Sequence, residues 1–378
     1  MLPVSICIIA KNEEKYIGEC LSRLSHFDWE IVVVDTGSTD RTVEIARAYT
    51  PNIYHFHWVN DFSAARNYSI SKASNDYILA VDCDEYLEID SQTEKSVLNL
   101  AGQIAPHQIG ILNRLSPSVE FAPSGKNISS TAGNIGINQN IPSGESLPVI
   151  HEHIARFFNR QFTCYQGSIH EQLVSKSGKN LEFVSIPLTF YHIGYSTVDI
   201  KKAKASRNIS LLETELETGG ANPYILFQLG QSYFGLSDYS RALPYFEQAL
   251  SMEVNEQEEY VQNLVESYGY CLIHLGQHTK ALELEGIYPV FSHRADFVFL
   301  MGLVYMNNAM FDQAIREFLK ATTIAEYAVD GVNSYLAYYN AGVIYECMGN
   351  IPEAIKYYSE CGNYAPACQR LLVCKNNF

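Results

Sequence analysis

No CxxC pair occurs among the nine cysteines of this 378-residue chain, which are scattered and odd in number. That excludes a disulfide or zinc framework and reads as buried or free thiols in a reducing cytosol. Positive charge is scarce: 26 Lys and Arg against 42 Asp and Glu give a net charge of −16. This balance argues against non-specific binding of nucleic acid or anionic membrane, although a local basic cleft can still hold phosphates. Long apolar runs are missing as well. The first, MLPVSICIIA, stops at Lys11 and has no basic flank, so it is too short for a membrane span and unlike a signal peptide. The expectation is a cytoplasmic chain with no integral membrane segment and no nucleic-acid partner. There is no GxGxxG and no GxxxxGK[ST], which removes the main support for dinucleotide-binding and P-loop readings. What remains is ordinary for a globular protein, 47% hydrophobic and 18% charged, and long enough for two domains with their own cores.

Residues 77–81, Tyr-Ile-Leu-Ala-Val, run uncharged into Asp82, Cys83, Asp84 and Glu85. An apolar run of this length bounded by polar residues reads as a buried strand. Its carboxyl end is where open α/β sheets bind ligands. Continued as a strand, it places Asp82 and Asp84 on one face. Two hard oxygen ligands so placed suit a Mg²⁺ or Mn²⁺ ion carrying a diphosphate. Asp-x-Asp alone also fits a polar turn, so the surrounding residues have to decide. Residues 4–10 and 29–35 are further buried-strand runs and 52–57 a shorter one; helical patterns follow from Ile17, Arg41 and Asp61. Strands alternating with helices predict a parallel sheet with right-handed crossovers. Asn12, Asp35 and Asp82 then lie at carboxyl ends along one edge.

Further on, residues 91–104 read as a helix and 109–113 as a strand. Residues 116–148 are rich in Ser, Gly, Asn and Pro, a long loop or weak β-excursion that serves either as a lid or as a surface insertion. His151 and His153 share a strand face, but no Cys or Asp cluster accompanies them, which favours a solvated or hydrogen-bonded role over a metal pair. A strand over 184–191 leads into His192.

Four stretches in this order, SICIIAKNEE, VVVDTGSTDRT, NDFSAARN and ILAVDCDEYL, resemble family 2 glycosyltransferases of the GT-A fold. The resemblance implies a nucleotide-sugar donor. By position, Ala10, Asn12, Glu13 and Ser38 would line the nucleotide site, Asp35 would hold the base, normally uracil, and Arg66 would contact the nucleotide or its phosphates. Asp82 would serve both nucleotide and metal, with Asp84 as its partner on the Mg²⁺ or Mn²⁺. The later stretches ARFFNR, GSIHEQ and YHIGYS resemble a subfamily with C-terminal helical repeats that includes enzymes glycosylating bacteriocin peptides on Cys or Ser. An inverting transfer needs a base for the acceptor proton. Glu171 is the expected base, with His170 as runner-up or phosphate contact. His192 is read either as a third metal ligand, as a late His is in many such enzymes, or as a neutral ring packed between tyrosines.

Gly219, Gly220 and Pro223 break the chain, and beyond them it repeats. Gly230, Tyr233, Tyr239, Ala242 and Phe246 recur as Gly302, Tyr305, Phe311, Ala314 and Phe318, and again as Gly342, Tyr345, Ile351, Ala354 and Tyr358. This is tetratricopeptide spacing, whose period is about 34 residues. A weaker copy carries Gly269, Gly276 and Ala281 in a longer interval. The reading is therefore a GT-A α/β domain over residues 1–196, a linker helix over 197–220 and an all-α repeat domain over 221–378. Function follows as metal-dependent inverting transfer from a UDP-sugar to a Cys or Ser of a peptide. Lipid-linked or cell-envelope glycans are the alternative acceptors, and a non-catalytic nucleotide-binding scaffold is the alternative outside enzymes. The repeats would hold the peptide or a second copy of the chain.

Overall fold

The computed structural model describes residues 2–117, 149–193 and 198–376. They form two compact units, one from residues up to 117 together with 151–193, the other from residues 149–150 and from 198 onward.

In the first unit, β1 (Val4–Ala10), β2 (Glu30–Asp35), β3 (Ile53–His55) and β4 (Tyr77–Ala80) pair in parallel, as their apolar runs predict. Alternate residues face opposite sides. Ile6, Ile8, Ile31, Val33 and Leu79 join one apolar cluster, while Cys7, Val32, Ile78 and Ala80 join another. A sheet buried on both faces needs an unbroken apolar sequence. Between these strands run α1 (Ile17–Leu24), α2 (Thr42–Ala46) and α3 (Phe62–Lys72). Helix α1 buries Ile17, Cys20, Leu21 and Leu24, one face at helical spacing. Asp61 caps α3 by accepting from the Ala64 N–H at 2.9 Å. The chain continues through β5 (Glu85–Leu87), α4 (Ser91–Gln103), β6 (Gln108–Pro117), β7 (Val149–Asn159), β8 (Thr163–Gln166), β9 (Gln172–Ser175) and β10 (Glu182–His192).

The sheet is mixed rather than wholly parallel. Its order is β3-β2-β1-β4-β7-β6-β10-β5, with β7 antiparallel to β4, β10 parallel to β6 and β5 antiparallel to β10. Strands β8 and β9 form a separate antiparallel pair. Ser116 and Pro117 belong to β6, and the remaining 118–148 of the expected insertion lie outside the described residues.

The second unit is helical: α5 (Val198–Gly219), α6 (Pro223–Phe234), α7 (Tyr239–Leu250), α8 (Glu259–His274), α9 (His278–Ala281), a 3₁₀ turn (Leu282–Ile287), α10 (Tyr288–Phe291), α11 (Ala295–Asn307), α12 (Phe311–Ala321), α13 (Tyr335–Cys347), α14 (Ile351–Ser359) and α15 (Ala365–Asn376). The pairs α6/α7, α11/α12 and α13/α14 are the three strong repeat copies. In the weak copy α8 is whole, and its partner is broken into α9, the 3₁₀ turn and α10. That break accounts for the longer interval. No helix among the described residues is long and apolar enough to cross a membrane, and none of the nine cysteines is in a disulfide.

Candidate active site

Two loops meet at the carboxyl edge of β1 and β2. After Ala10 the backbone turns through Asn12, which adopts φ 57°, a left-handed conformation that asparagine tolerates. The Asn12 N–H donates to Ser38 Oγ at 3.0 Å, and its side-chain oxygen accepts from the Thr39 N–H at 2.8 Å. The Glu13 N–H donates to Thr42 Oγ1 at 2.7 Å. Ala10 O accepts from the Thr36 N–H at 2.9 Å. Asp35, only 4% exposed, accepts at Oδ1 from the Ser38 N–H at 3.0 Å and at Oδ2 from the Gly37 N–H at 3.3 Å, and His55 Nδ1 lies 3.2 Å from Oδ2 as well. Residues 10–13 and 35–38, which include the nucleotide candidates Ala10, Asn12, Glu13, Asp35 and Ser38, thus form one hydrogen-bonded ledge. His55 beside Asp35 went unnoticed in the sequence.

The Asp-x-Asp segment differs from its expectation. Strand β4 ends at Ala80, and residues 82–85 form a turn closed by the Glu85 N–H donating to Asp82 O at 3.1 Å. The strand alternation that would put Asp82 and Asp84 on one face therefore does not apply. Asp82 Oδ1 accepts from Arg66 Nη2 and Oδ2 from Arg156 Nη2, each at 2.8 Å. Asp84 turns to His192 instead, with Oδ2 3.5 Å from Nε2. Arg66 and Arg156 occupy the two oxygens of Asp82, while Asp84 and His192 face each other. Asp82, Asp84 and His192 stand as candidate metal ligands.

Arg66 is also not an open phosphate contact. It is 6% exposed, its ring-facing side lies 5.5 Å from the centre of Tyr165, and its Nε donates to Glu171 Oε1. Glu171 follows His170, whose φ is 49°, on the loop between β8 and β9. That loop is tied to α3 by the Phe62 N–H donating to Ser168 O at 2.8 Å.

From Asp82 the ionic contacts continue through residues that the sequence did not single out. Arg156 lies 3.6 Å from Glu85 Oε1, and Arg114 Nη1 donates to the same oxygen at 3.3 Å. Arg114 also grips Glu152 with two bonds, Nε at 3.0 Å and Nη2 at 2.8 Å. Ser116 Oγ donates to Glu152 at 2.8 Å and lies 3.2 Å from His192 Nδ1. One continuous path thus runs from Glu171 to Asp84. Five carboxylates on it (Asp82, Asp84, Glu85, Glu152 and Glu171) face the three guanidinium groups of Arg66, Arg114 and Arg156. A sequence signal for these residues did exist: charged residues interrupting the apolar strands β6 and β7 near the ligand-binding edge.

Burial alone would raise the Asp82 carboxyl, but Arg156 and Arg66 override it and hold the group well below the usual carboxylate range. Burial likewise opposes the charge on Glu152, and Arg114 with Ser116 draws its carboxyl down. For His192, burial disfavours the imidazolium, yet the hydrogen bond and charge of Asp84 prevail and raise it. The thiols of Cys20 and Cys83, buried beneath the turn, are pushed up by that burial. Among the described residues no group of three or more His, Cys, Asp or Glu is disposed as a metal cage. An ion at Asp84 and His192 would take its remaining positions from substrate and water, as Mg²⁺ and Mn²⁺ commonly do.

Comparison with known proteins agrees with both units. Residues 5–100 match the family described as Glycosyl transferase family 2, and residues 223–253, 295–327 and 335–368 match the Tetratricopeptide repeat. The chain is 27% identical over 269 residues to the SPbeta prophage-derived glycosyltransferase SunS of Bacillus subtilis, covering 70% of this chain and 57% of that protein. A TPR repeat-containing protein of Synechococcus elongatus is 35% identical over 136 residues, 32% of this chain and 34% of its own length. The lipopolysaccharide core biosynthesis glycosyltransferase LpsC of Rhizobium meliloti is 32% identical over 91 residues, 23% of this chain and 33% of its own. The chain therefore spans roughly a third to three fifths of the length of these relatives. Its first unit carries a glycosyltransferase family 2 domain, and its second carries tetratricopeptide repeats.

Proposed function

We propose that the chain transfers a sugar, with inversion, from a UDP-sugar such as UDP-glucose to the Cys or Ser side chain of a bacteriocin-like peptide. The observation that carries this reading is that Arg66 joins the Asp82 turn to the Glu171 loop, with the Asp35 ledge at the carboxyl ends of the same parallel strands. Asp35 would accept from a uracil N–H, and Ala10, Asn12, Glu13 and Ser38 would cradle the nucleoside. Asp84 and His192 would hold Mg²⁺ or Mn²⁺, which when bound neutralises charge growing on the departing diphosphate. Arg66 and Arg156 fix Asp82 beside them. The acceptor oxygen or sulfur attacks the anomeric carbon, the bond to the UDP oxygen breaks, and the acceptor proton passes to Glu171 or, failing that, His170.

A thiol asks little of that base, since its reference pKa is about 8.5 and part of it is thiolate near neutrality. A Ser hydroxyl depends on the base wholly. The test incubates the chain with UDP-glucose, Mn²⁺ and short peptides containing Cys or Ser, and reads peptide mass. We expect a one-hexose gain that Asp84→Asn and EDTA both abolish. Glu171→Gln should stop transfer to Ser, while transfer to Cys falls less and partly recovers as the pH is raised to about 9. Full activity of Asp84→Asn in EDTA would remove the metal from the reaction. Hexose transfer to a lipid-linked glycan and to no peptide would replace the acceptor, the alternative that the LpsC similarity favours.

A further inference from the structure

The guanidinium groups of the sheet unit, Arg66, Arg114 and Arg156, all meet carboxylates. Arg294, in the repeat unit, does not. It is the N-cap residue of α11 and only 8% exposed. Its Nε is sealed from solvent and meets no acceptor, and among the described residues neither terminal nitrogen has a hydrogen bond or an ion pair. Arginine keeps its charge on burial and carries several N–H donors and no acceptor. Burying such a group is costly unless it is paired and hydrogen-bonded. A guanidinium left so inside a folded unit needs a partner from outside it.

The surroundings say which partner. Asp296, 3% exposed and two residues further on, supplies negative charge nearby, but its oxygens are already used. Oδ2 accepts from the Ala328 N–H at 2.8 Å and Oδ1 from the Val329 N–H at 2.9 Å. Burial raises the Asp296 carboxyl, and those two bonds and the Arg294 charge offset only part of the rise. Asp296 thus tempers the local positive charge without meeting the guanidinium fork. The backbone there is spent as well: the Ala295 N–H donates to Glu326 O at 2.9 Å, and the Arg294 N–H to Phe291 O at 3.4 Å. What remains is a planar fork of donors at the positive end of a thirteen-residue helix. A carboxylate matches it, being flat, singly charged and able to accept from two N–H groups at once. A dianionic phosphate would be set more strongly against Asp296.

We infer that Arg294 anchors a carboxylate-binding site at the start of α11, taken either by a small organic acid or by a carboxyl group of a peptide. The site is built within the repeat unit and does not depend on the donor and metal reading above.

The experiment titrates the full chain with sodium acetate, using sodium chloride at equal ionic strength and neutral acetamide as controls. It reads the NMR signal of the Arg294 Nε–H and the melting temperature. Arg294→Met keeps the length, removes the charge and identifies the signal by its loss. In wild type, acetate should shift the signal to saturation and raise the melting temperature, while chloride and acetamide do neither. Arg294→Met should melt above wild type in chloride, because an unpaired buried charge is gone, and should lose the response to acetate. If Arg294→Met does not fold, Arg294→Lys takes its place: a single ammonium keeps the charge without the fork, and the acetate-induced rise in melting temperature should shrink. A short acidic peptide, with and without its carboxyl groups amidated, separates the two sources. Saturation by the free-acid peptide at lower concentration than acetate would support the site and assign it to peptide; saturation no lower would support the site and assign it to small acids. An Arg294 signal that acetate moves no further than chloride does would overturn the inference. So would an acetate-induced rise in melting temperature that survives undiminished in Arg294→Met.

Discussion

Arg66 shows what a single residue does when sequence and structure assign it different surroundings. In the sequence it opens a helix beside a sugar-nucleotide motif and looks available to phosphate. In the structure it is buried, spanning Asp82 and Glu171 with different faces of one guanidinium. Arginine suits this because its planar fork donates in several directions and does not lose its charge on burial. Removing one member of a buried ionic cluster leaves the others uncompensated. Arg66→Ala should therefore cost about 3–5 kcal/mol of stability. Urea unfolding followed by fluorescence measures this, and a loss below about 1 kcal/mol would mean that water readily reaches Asp82 and Glu171. Arg66→Lys should recover only part of the loss, since a single ammonium cannot reproduce both contacts. The burial of Arg66 was not legible in the sequence, because its partners lie 16 and 105 positions away.

At the scale of elements, the repeats owe their regularity to one steric device. Each glycine of the strong copies faces an aromatic ring sixteen residues on: Gly230 meets Phe246, Gly302 meets Phe318 and Gly342 meets Tyr358. A Cβ added at Gly302 would lie 2.6 Å from the Phe318 ring, and one at Gly342 would lie 2.7 Å from Tyr358. Alanine is the better helix former by about 1 kcal/mol. Even so, Gly302→Ala should destabilise the repeats by roughly 1–3 kcal/mol, the usual cost of overpacking. Gly102, exposed on α4 with nothing within 4 Å of an added Cβ, is the control; its change to Ala should instead stabilise by about 0.5–1 kcal/mol. Calorimetry of the two variants checks both signs, and a stabilised Gly302→Ala would show that the rings can retreat. In the weak copy Gly269 meets Leu300 and Leu284 rather than a ring. That matches a partner helix broken into short pieces.

For the whole molecule, each unit has its own apolar clusters. Those of the sheet draw on residues such as Ile6, Leu79 and Phe158, and those of the repeats on Phe246, Phe297 and Phe318. The first unit holds every residue proposed here for donor and metal. We propose that the repeats take the acceptor. Residues 1–220 alone should still hydrolyse UDP-glucose slowly in Mn²⁺ and lose transfer to the peptide. Liquid chromatography for UDP together with peptide mass measures both, and undiminished peptide transfer would deprive the repeats of an acceptor role.

The sequence by itself determined the elements whose cause is local. Parallel strands β1 to β4 followed from β-rich apolar runs, α1 from its apolar face of Ile17, Leu21 and Leu24, and the repeat helices from a glycine–aromatic spacing that recurs in the chain. The loops of the ledge were legible too, since Asn12, Asp35 and Ser38 follow directly on strands. Strands β5, β8 and β9 were not, having neither an unbroken apolar run nor a period to detect. Tertiary structure alone decided which acids share a site. Asp82 and Asp84 are two apart, yet the turn after Ala80 sends one to Arg66 and Arg156 and the other to His192. Arg114, Ser116, Glu152 and Arg156 become a site only because β6, β7 and β10 lie side by side. The energy of an ion pair depends on distance and burial, and neither is written in the order of residues along the chain.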